Sequence, residues 1–244
     1  VRAGWGDPDT DFNQIQRQLE IKAVQFVQDN AGGEKPIFLY VPLSAPHNPS
    51  APHPDFQGDT PHVYTDFIKE VDSIVGNVVE ALTDKGALEN TLFIFTSDNG
   101  AHAGKANDPD HRATGVFPDG TFLRGQKADA WEGGHRVPFI ARWGDGTEAG
   151  STIQPGTVNP ELINLLDFTR TAATIAGATL LPHEAVDSWN ILPALLSDGT
   201  DQRIREAQFM TTLGGTYAIA QKDDQGNEWK LIFSSGSGGG FSSP

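Results

Sequence analysis

An α/β fold with a mainly parallel, doubly wound sheet is the class this sequence predicts, and three features predict it. Two continuous apolar runs of strand length, IFLYVPL at 37–43 and TLFIFT at 91–96, read as strands buried on both faces, as parallel strands are. The stretch 62–86 between them places Val63, Phe67, Val71, Ile74, Val75, Val78, Val79 and Leu82 at steps of three and four, the spacing of an amphipathic helix. Strand, helix, strand is the crossover unit of such sheets, and their ligands gather beyond the carboxyl ends of the strands.

The remaining elements follow in chain order. Residues 13–30 carry Ile15, Leu19, Val24, Phe26 and Val27 on a roughly helical period and stop at Gly32-Gly33. Gly86 stands where a helix C-cap glycine belongs. Residues 101–121, rich in Gly, Asp, His and Pro, read as a long functional loop, because structureless loops above about 12–15 residues are uncommon. VPFIARW at 137–143 is a third strand, and 161–176 a helix ended by Gly177. After Asp198 the texture changes: 217–220 and 229–233 form a hairpin around the polar turn KDDQGNE, and SSGSGGGFSSP reads as linker or loop.

Composition excludes some partners. The 244 residues carry 17 Lys and Arg against 32 Asp and Glu, a net charge of −15, with no basic run. Nucleic-acid affinity and binding to anionic membranes both need clustered cations, so neither is expected. No apolar run reaches the length of about 18 residues that a membrane helix needs, and residues 1–14 show no signal-peptide pattern. Cys is absent, which removes disulfides, thiolate metal sites and a Cys nucleophile.

Three stretches carry candidate chemistry, each beside a predicted strand: SAPHNP (44–49), FTSDNG (95–100) and LRGQKADAWEGGHRVP (123–138). Asp98 and Asn99 offer hard oxygen donors of the kind Ca²⁺ or Mg²⁺ prefers, and Gly100 lets the chain turn so both can face one point. Taken alone, Asn99-Gly100 is also simply a turn. His47, between two prolines, has a restricted backbone that would fix an imidazole toward an anion or leaving group; in isolation it reads as a surface histidine. His102 and His111 lie in the long loop and are further candidate substrate contacts, although taken alone each reads as a satisfied surface histidine. Lys127 is one of few cations and precedes Gly133-Gly134, so it could hold an anionic oxygen, although a solvated lysine is the default. Glu132 and Arg136, four apart, read as a structural pair, and Asp223-Asp224 as a turn.

Together, in this order, these blocks resemble the sulfatases of the alkaline-phosphatase-like superfamily, arylsulfatase type. APHNP, the helix YTDFIKEVDSIVGNVVEAL, NTLFIFTSDNG and LRGQKADAWEGGHRVPFIARW look like that family's consecutive central blocks. DFTRTAATIAGATL, NILPALL and EWKLI look like its later ones. The resemblance implies an alkaline-phosphatase-like sheet and hydrolysis of aryl or carbohydrate sulfate esters. It implies Asp98 and Asn99 as metal ligands, commonly to Ca²⁺ with Mg²⁺ as the alternative, and catalytic and sulfate-contacting roles for His47 and Lys127. It also implies a periplasmic or secreted protein.

The family's nucleophile is a formylglycine made from Cys or Ser in C/S-x-P/A-x-R, and this chain has no Cys and no Ser in that setting. The acidic pair that completes the family's metal site, and its Gly-Lys-x-His segment, are also missing. The expectation is therefore an interior fragment: 1–198 the C-terminal portion of the catalytic domain, 199–244 part of an antiparallel C-terminal subdomain, the nucleophile outside it and the isolated chain inactive. Two alternatives stand beside sulfate-ester hydrolysis. A phosphodiesterase or phosphonate monoester hydrolase of the same superfamily would use the same anion cradle, and a noncatalytic remnant would bind sulfated glycan without turnover.

Overall fold

The computed structural model describes residues 10–102, 120–240 and 242. They form two compact units, 10–90 and, separately, 91–102 with 120–240 and 242.

In the first unit a 3₁₀ turn, Phe12–Gln14, opens on Asp11, whose side chain accepts the Asn13 N–H at 3.0 Å. It leads into α1, Ile15–Asn30, which packs on α2, Val63–Asp84. The face α1 buries is Gln16, Glu20, Ala23 and Val27, whereas Ile21 and Phe26 stay exposed. Polar groups can occupy that face because each is bonded: Gln16 donates to Ser44 Oγ at 2.5 Å, and Glu20 accepts from Asn77 at 2.5 Å and from Arg17 at 2.9 Å. Helix α2 buries Phe67, Ile74, Val78 and Leu82, as its period predicts, together with Glu70, which accepts the His53 N–H at 2.9 Å. Complete burial of a side chain such as Ile74 contributes about 1.5–3 kcal/mol. At the end of α2, Gly86 N–H bonds Thr83 O and Ala87 N–H bonds Leu82 O, with Gly86 at φ +60°, so the expected glycine cap is a Schellman turn.

Residues 37–43 correct one expectation. The segment joins no ladder among the described residues, and at its end Leu43 N–H turns back to Val41 O at 3.1 Å. Ile37, Leu39, Val41 and Leu43 are half-buried and alternate with exposed Phe38 (80 %) and Tyr40 (75 %). Its apolar alternation gives one covered face, and a strand needs a neighbouring backbone that the described part of its own unit does not provide.

The second unit begins with β1, Phe93–Thr96, which pairs antiparallel with β2, Phe139–Arg142, in the register Phe93↔Arg142 and Thr96↔Phe139. The sheet expected from the sequence is mainly parallel. This pairing is antiparallel: the single helical turn α3, Glu132–His135, meets the end of β1 through Gly100 N–H to Gly134 O at 3.0 Å, and β2 then runs back along β1. The helix expected over 161–176 is α4, Asp167–Ile175 only. Its start is set by side chains, with Asp167 accepting the Asn164 N–H at 2.6 Å and Asn164 accepting the Leu166 N–H at 3.0 Å.

After the short α5, Leu192–Leu195, come β3, Ala207–Thr211, β4, Tyr217–Lys222, and β5, Glu228–Ile232, an antiparallel meander in the order β3-β4-β5. The hairpin read from sequence is β4-β5, and Asp223 ties its turn by accepting from Gln225 N, Asn227 N and Trp229 Nε1, each at 2.9 Å. A buried ion pair, Arg205–Asp167, links α4 to the approach to β3. No helix among the described residues is long and apolar enough to cross a membrane.

Candidate functional site

β1 delivers its last residue, Thr96, directly into the turn 97–100. Ser97 Oγ donates to Asn99 O at 3.0 Å and Asn99 Nδ2 to Gly100 O at 3.1 Å, which holds the turn closed on itself. Asp98 is exposed and Asn99 half-buried. Among the described residues, nothing donates a hydrogen bond to the Asp98 carboxylate or to the Asn99 amide oxygen. Two hard oxygen donors therefore stand uncommitted at one strand end. They suit a hard divalent cation and fall short of the roughly 6–8 oxygens that Ca²⁺ takes. Among the described residues no group of three or more His, Cys, Asp or Glu is placed to hold a metal ion.

The loop 123–138 lies against this turn. Gly100 N–H bonds Gly134 O at 3.0 Å and Lys127 N–H bonds Ala101 O at 2.8 Å. Inside the loop, Gly133 N–H bonds Arg124 O at 2.8 Å, and the Arg124 guanidinium stacks 3.7 Å from the Trp131 ring centre. Lys127 is half-buried, and its ammonium makes no ion pair among the described residues. Glu132 pairs with Lys230 and with Arg136, the latter at 3.3 Å, so the Glu132–Arg136 pair is structural as read. Burial pushes the Glu132 carboxyl up, but the two cations together hold it below its ordinary range. Burial and the Lys230 charge hold the His135 imidazole below its ordinary value, so it favours the neutral form.

The structure thus brings Asp98, Asn99 and the Lys127 loop together within one unit, with half-buried His102 two residues past Gly100. His111 lies outside the described residues. His47 belongs to the other unit, where it is exposed: its N–H bonds Ser44 O at 2.9 Å and its Nδ1 lies 2.9 Å from Asn48 O. The Ala45–Pro46 and Asn48–Pro49 peptides on either side of it are cis.

Asp129 escaped the sequence reading. It is fully buried, and its carboxylate accepts the Gln126 N–H at 2.9 Å and Ser242 Oγ–H at 2.5 Å. Ala-Asp-Ala in a polar loop carries no periodicity that would have marked it. Gly125 and Gly134 of its own loop lie against it, and the glycine-rich tail more than 100 positions downstream completes its burial.

Comparison with known proteins gives consistent results. The family model described as Sulfatase matches residues 6–178. A steryl-sulfatase of Mus musculus is 33 % identical over 226 residues, covering 92 % of this chain and 34 % of the relative. An N-acetylgalactosamine-6-O-sulfatase of Bacteroides thetaiotaomicron is 32 % identical over 218 residues, 86 % of this chain and 39 % of the relative. A structure solved in work on glycosaminoglycan metabolism by Bacteroides thetaiotaomicron superposes with a TM-score of 0.73 at 29 % identity, covering 91 % of this chain and 44 % of that one. The chain spans little more than a third of the length of these curated relatives.

Proposed function

Because the chain belongs to the sulfatase family, we propose that it forms part of a sulfuric ester hydrolase acting on aryl or carbohydrate sulfates. Its fold is the alkaline-phosphatase-like α/β fold of its sulfatase neighbours. The family uses a metal ion and a formylglycine; we assign Ca²⁺, with Mg²⁺ as the alternative, to Asp98 and Asn99. The formylglycine comes from residues other than these 244. A periplasmic or secreted setting and the division at about residue 198 belong to the same reading.

One observation carries it. The two backbone bonds Gly100–Gly134 and Lys127–Ala101 hold a loop bearing a cation against a turn bearing a carboxylate and an amide oxygen. A sulfate ester is an anion whose transferred group gathers charge on its oxygens during displacement, and preorganised positive charge there is usually the largest catalytic term. A divalent ion supplies part of that charge. Lys127 supplies the rest from this chain as a point charge on a flexible stem, able to follow an oxygen as the S–O bond lengthens. His47 is assigned to hydrogen-bond the sulfate or the leaving oxygen, where its ring can carry a proton. Asn99 donates its amide N–H to Gly100 O at 3.1 Å, which leaves its side-chain oxygen as the donor assigned to the cation.

The test is made in the full-length product of the gene, with an aryl sulfate and an aryl phosphodiester offered separately. Lys127→Glu is expected to lower kcat/KM on the sulfate by about a hundredfold or more. Lys85→Glu, at the C-cap of α2, is expected to leave it within about twofold. Equal losses, or a preference for the phosphodiester, would overturn the assignment.

A further inference from the structure

We propose that Asp129 is a positioning residue for Lys127, held in place by the glycine-rich segment 236–240 and Ser242. The inference rests on the reading that Lys127 contacts the sulfate group, and it adds the device that sets where that lysine stands.

Lys127 and Ala128 are the two central residues of a four-residue turn, 126–129. The turn is closed twice, by Asp129 N–H to Gln126 O at 3.0 Å and by Gln126 N–H to the Asp129 carboxylate at 2.9 Å. Ala128 has φ +78°, the left-handed value that the third position of a type II turn requires and that glycine usually supplies. A non-glycine residue there is uphill and persists only where the surroundings over-determine it. They do so here. Ala128 O accepts the Leu213 N–H at 3.3 Å, Ala130 N–H bonds Ser237 O at 2.8 Å, and Lys127 N–H bonds Ala101 O at 2.8 Å.

The tail closes the arrangement from the other side. Ser242 Oγ–H donates to the Asp129 carboxylate at 2.5 Å. A Cβ on Gly239 would stand 2.3 Å from Ala128 O and 2.5 Å from Asp129 Oδ1, so the backbone there is seated on the turn and only glycine fits. Asp129 is completely buried, and among the described residues its Oδ1 has no hydrogen-bond partner. Burying a carboxylate is costly, and a turn needing only to reverse the chain would be served by a glycine at 128 and a neutral residue at 129. Among the described residues, the long polar side chain of the turn that this bracing sets in place without otherwise engaging it is that of Lys127. A flexible lysine gains most from a fixed root, since it is the Cα–Cβ direction that decides where its ammonium can reach.

The experiment is a double-substitution cycle in the full-length gene product, reading kcat and KM on an aryl sulfate. Asp129→Ala is expected to lower kcat/KM about a hundredfold, the scale of an ångström-sized misplacement. Placed on Lys127→Ala, the same change should cost less than about threefold, because the group it positions is gone. Asp129→Asn keeps an oxygen to accept the Gln126 N–H and should recover most of the loss. Should Asp129→Ala not fold, Ser242→Ala removes the two hydrogen bonds of that hydroxyl, donated to the Asp129 carboxylate and accepted from Gln126 Nε2, and its smaller loss of about fivefold should likewise vanish on Lys127→Ala. Equal losses with and without Lys127, or no loss where Lys127→Ala itself is damaging, would overturn this inference alone. A harmless Lys127→Ala would overturn the reading of Lys127 and this inference with it.

Discussion

Gly100 lies so close to Gly133 that a Cβ on Gly100 would stand 1.7 Å from the Gly133 carbonyl oxygen. The turn carrying Asp98 and Asn99 is therefore set against the Lys127 loop at backbone distance, with no side chain between them. Gly100→Ala must push these segments apart, and overpacking of this kind costs about 1–3 kcal/mol. Gly76, inside α2, has nothing within 4 Å of its would-be Cβ, so Gly76→Ala should stabilise by about 0.5–1 kcal/mol. Thermal melting of the two variants should move in opposite directions; a common direction would contradict the packing described.

Arg205 and Asp167 are both buried, and each depends on the other for charge compensation. Arg205→Met leaves Asp167 in the core without its counter-ion and should destabilise by about 3–5 kcal/mol. Adding Asp167→Leu should recover part of this only, since Asp167 also accepts the Trp189 and Asn164 N–H groups at 2.9 and 2.6 Å. Urea unfolding of the single and double variants measures both; a fully restored double variant would show that those two hydrogen bonds contribute nothing.

Asp201 predicts an acid-range dependence. The hydrogen bond from Lys222, at 2.7 Å, lowers its carboxyl from 3.8 to about 2. The folded state thus holds the charged form more tightly than the unfolded chain does. Its stabilising contribution is present above the ordinary value and is lost as pH falls from 3.8 towards about 2. Neighbouring Glu161 moves the other way, raised by burial and by the Asp201 carboxylate. The stability gap between the natural chain and Asp201→Asn should therefore narrow across that window, and a gap independent of pH would exclude the pairing as its source.

Purified as 244 residues, the chain should not turn over aryl sulfates. It has no Cys, and its serines lack the setting from which the family's nucleophile is made. Ca²⁺ should bind weakly, because Asp98 and Asn99 supply two donors where about 6–8 are needed. Calorimetric titration and an aryl sulfate assay test this together. Metal-dependent turnover abolished by Asp98→Ala would mean that a complete site exists within these residues.

What the sequence determined on its own was local or carried by motif. The period of α2, its Gly86 cap, the β4-β5 hairpin and the Asp98-Asn99-Gly100 turn all depend on residues a few positions apart, so spacing alone reports them. The order of the blocks was enough to recognise the family. Tertiary structure decided what depends on distant partners. The polar buried face of α1 exists because Ser44 and Asn77 bond Gln16 and Glu20. The antiparallel course of β2 follows from a contact between Gly100 and Gly134. Residues 236–240 and Ser242 complete the burial of Asp129, and no period or motif within the loop encodes a cover that arrives from the far end of the chain.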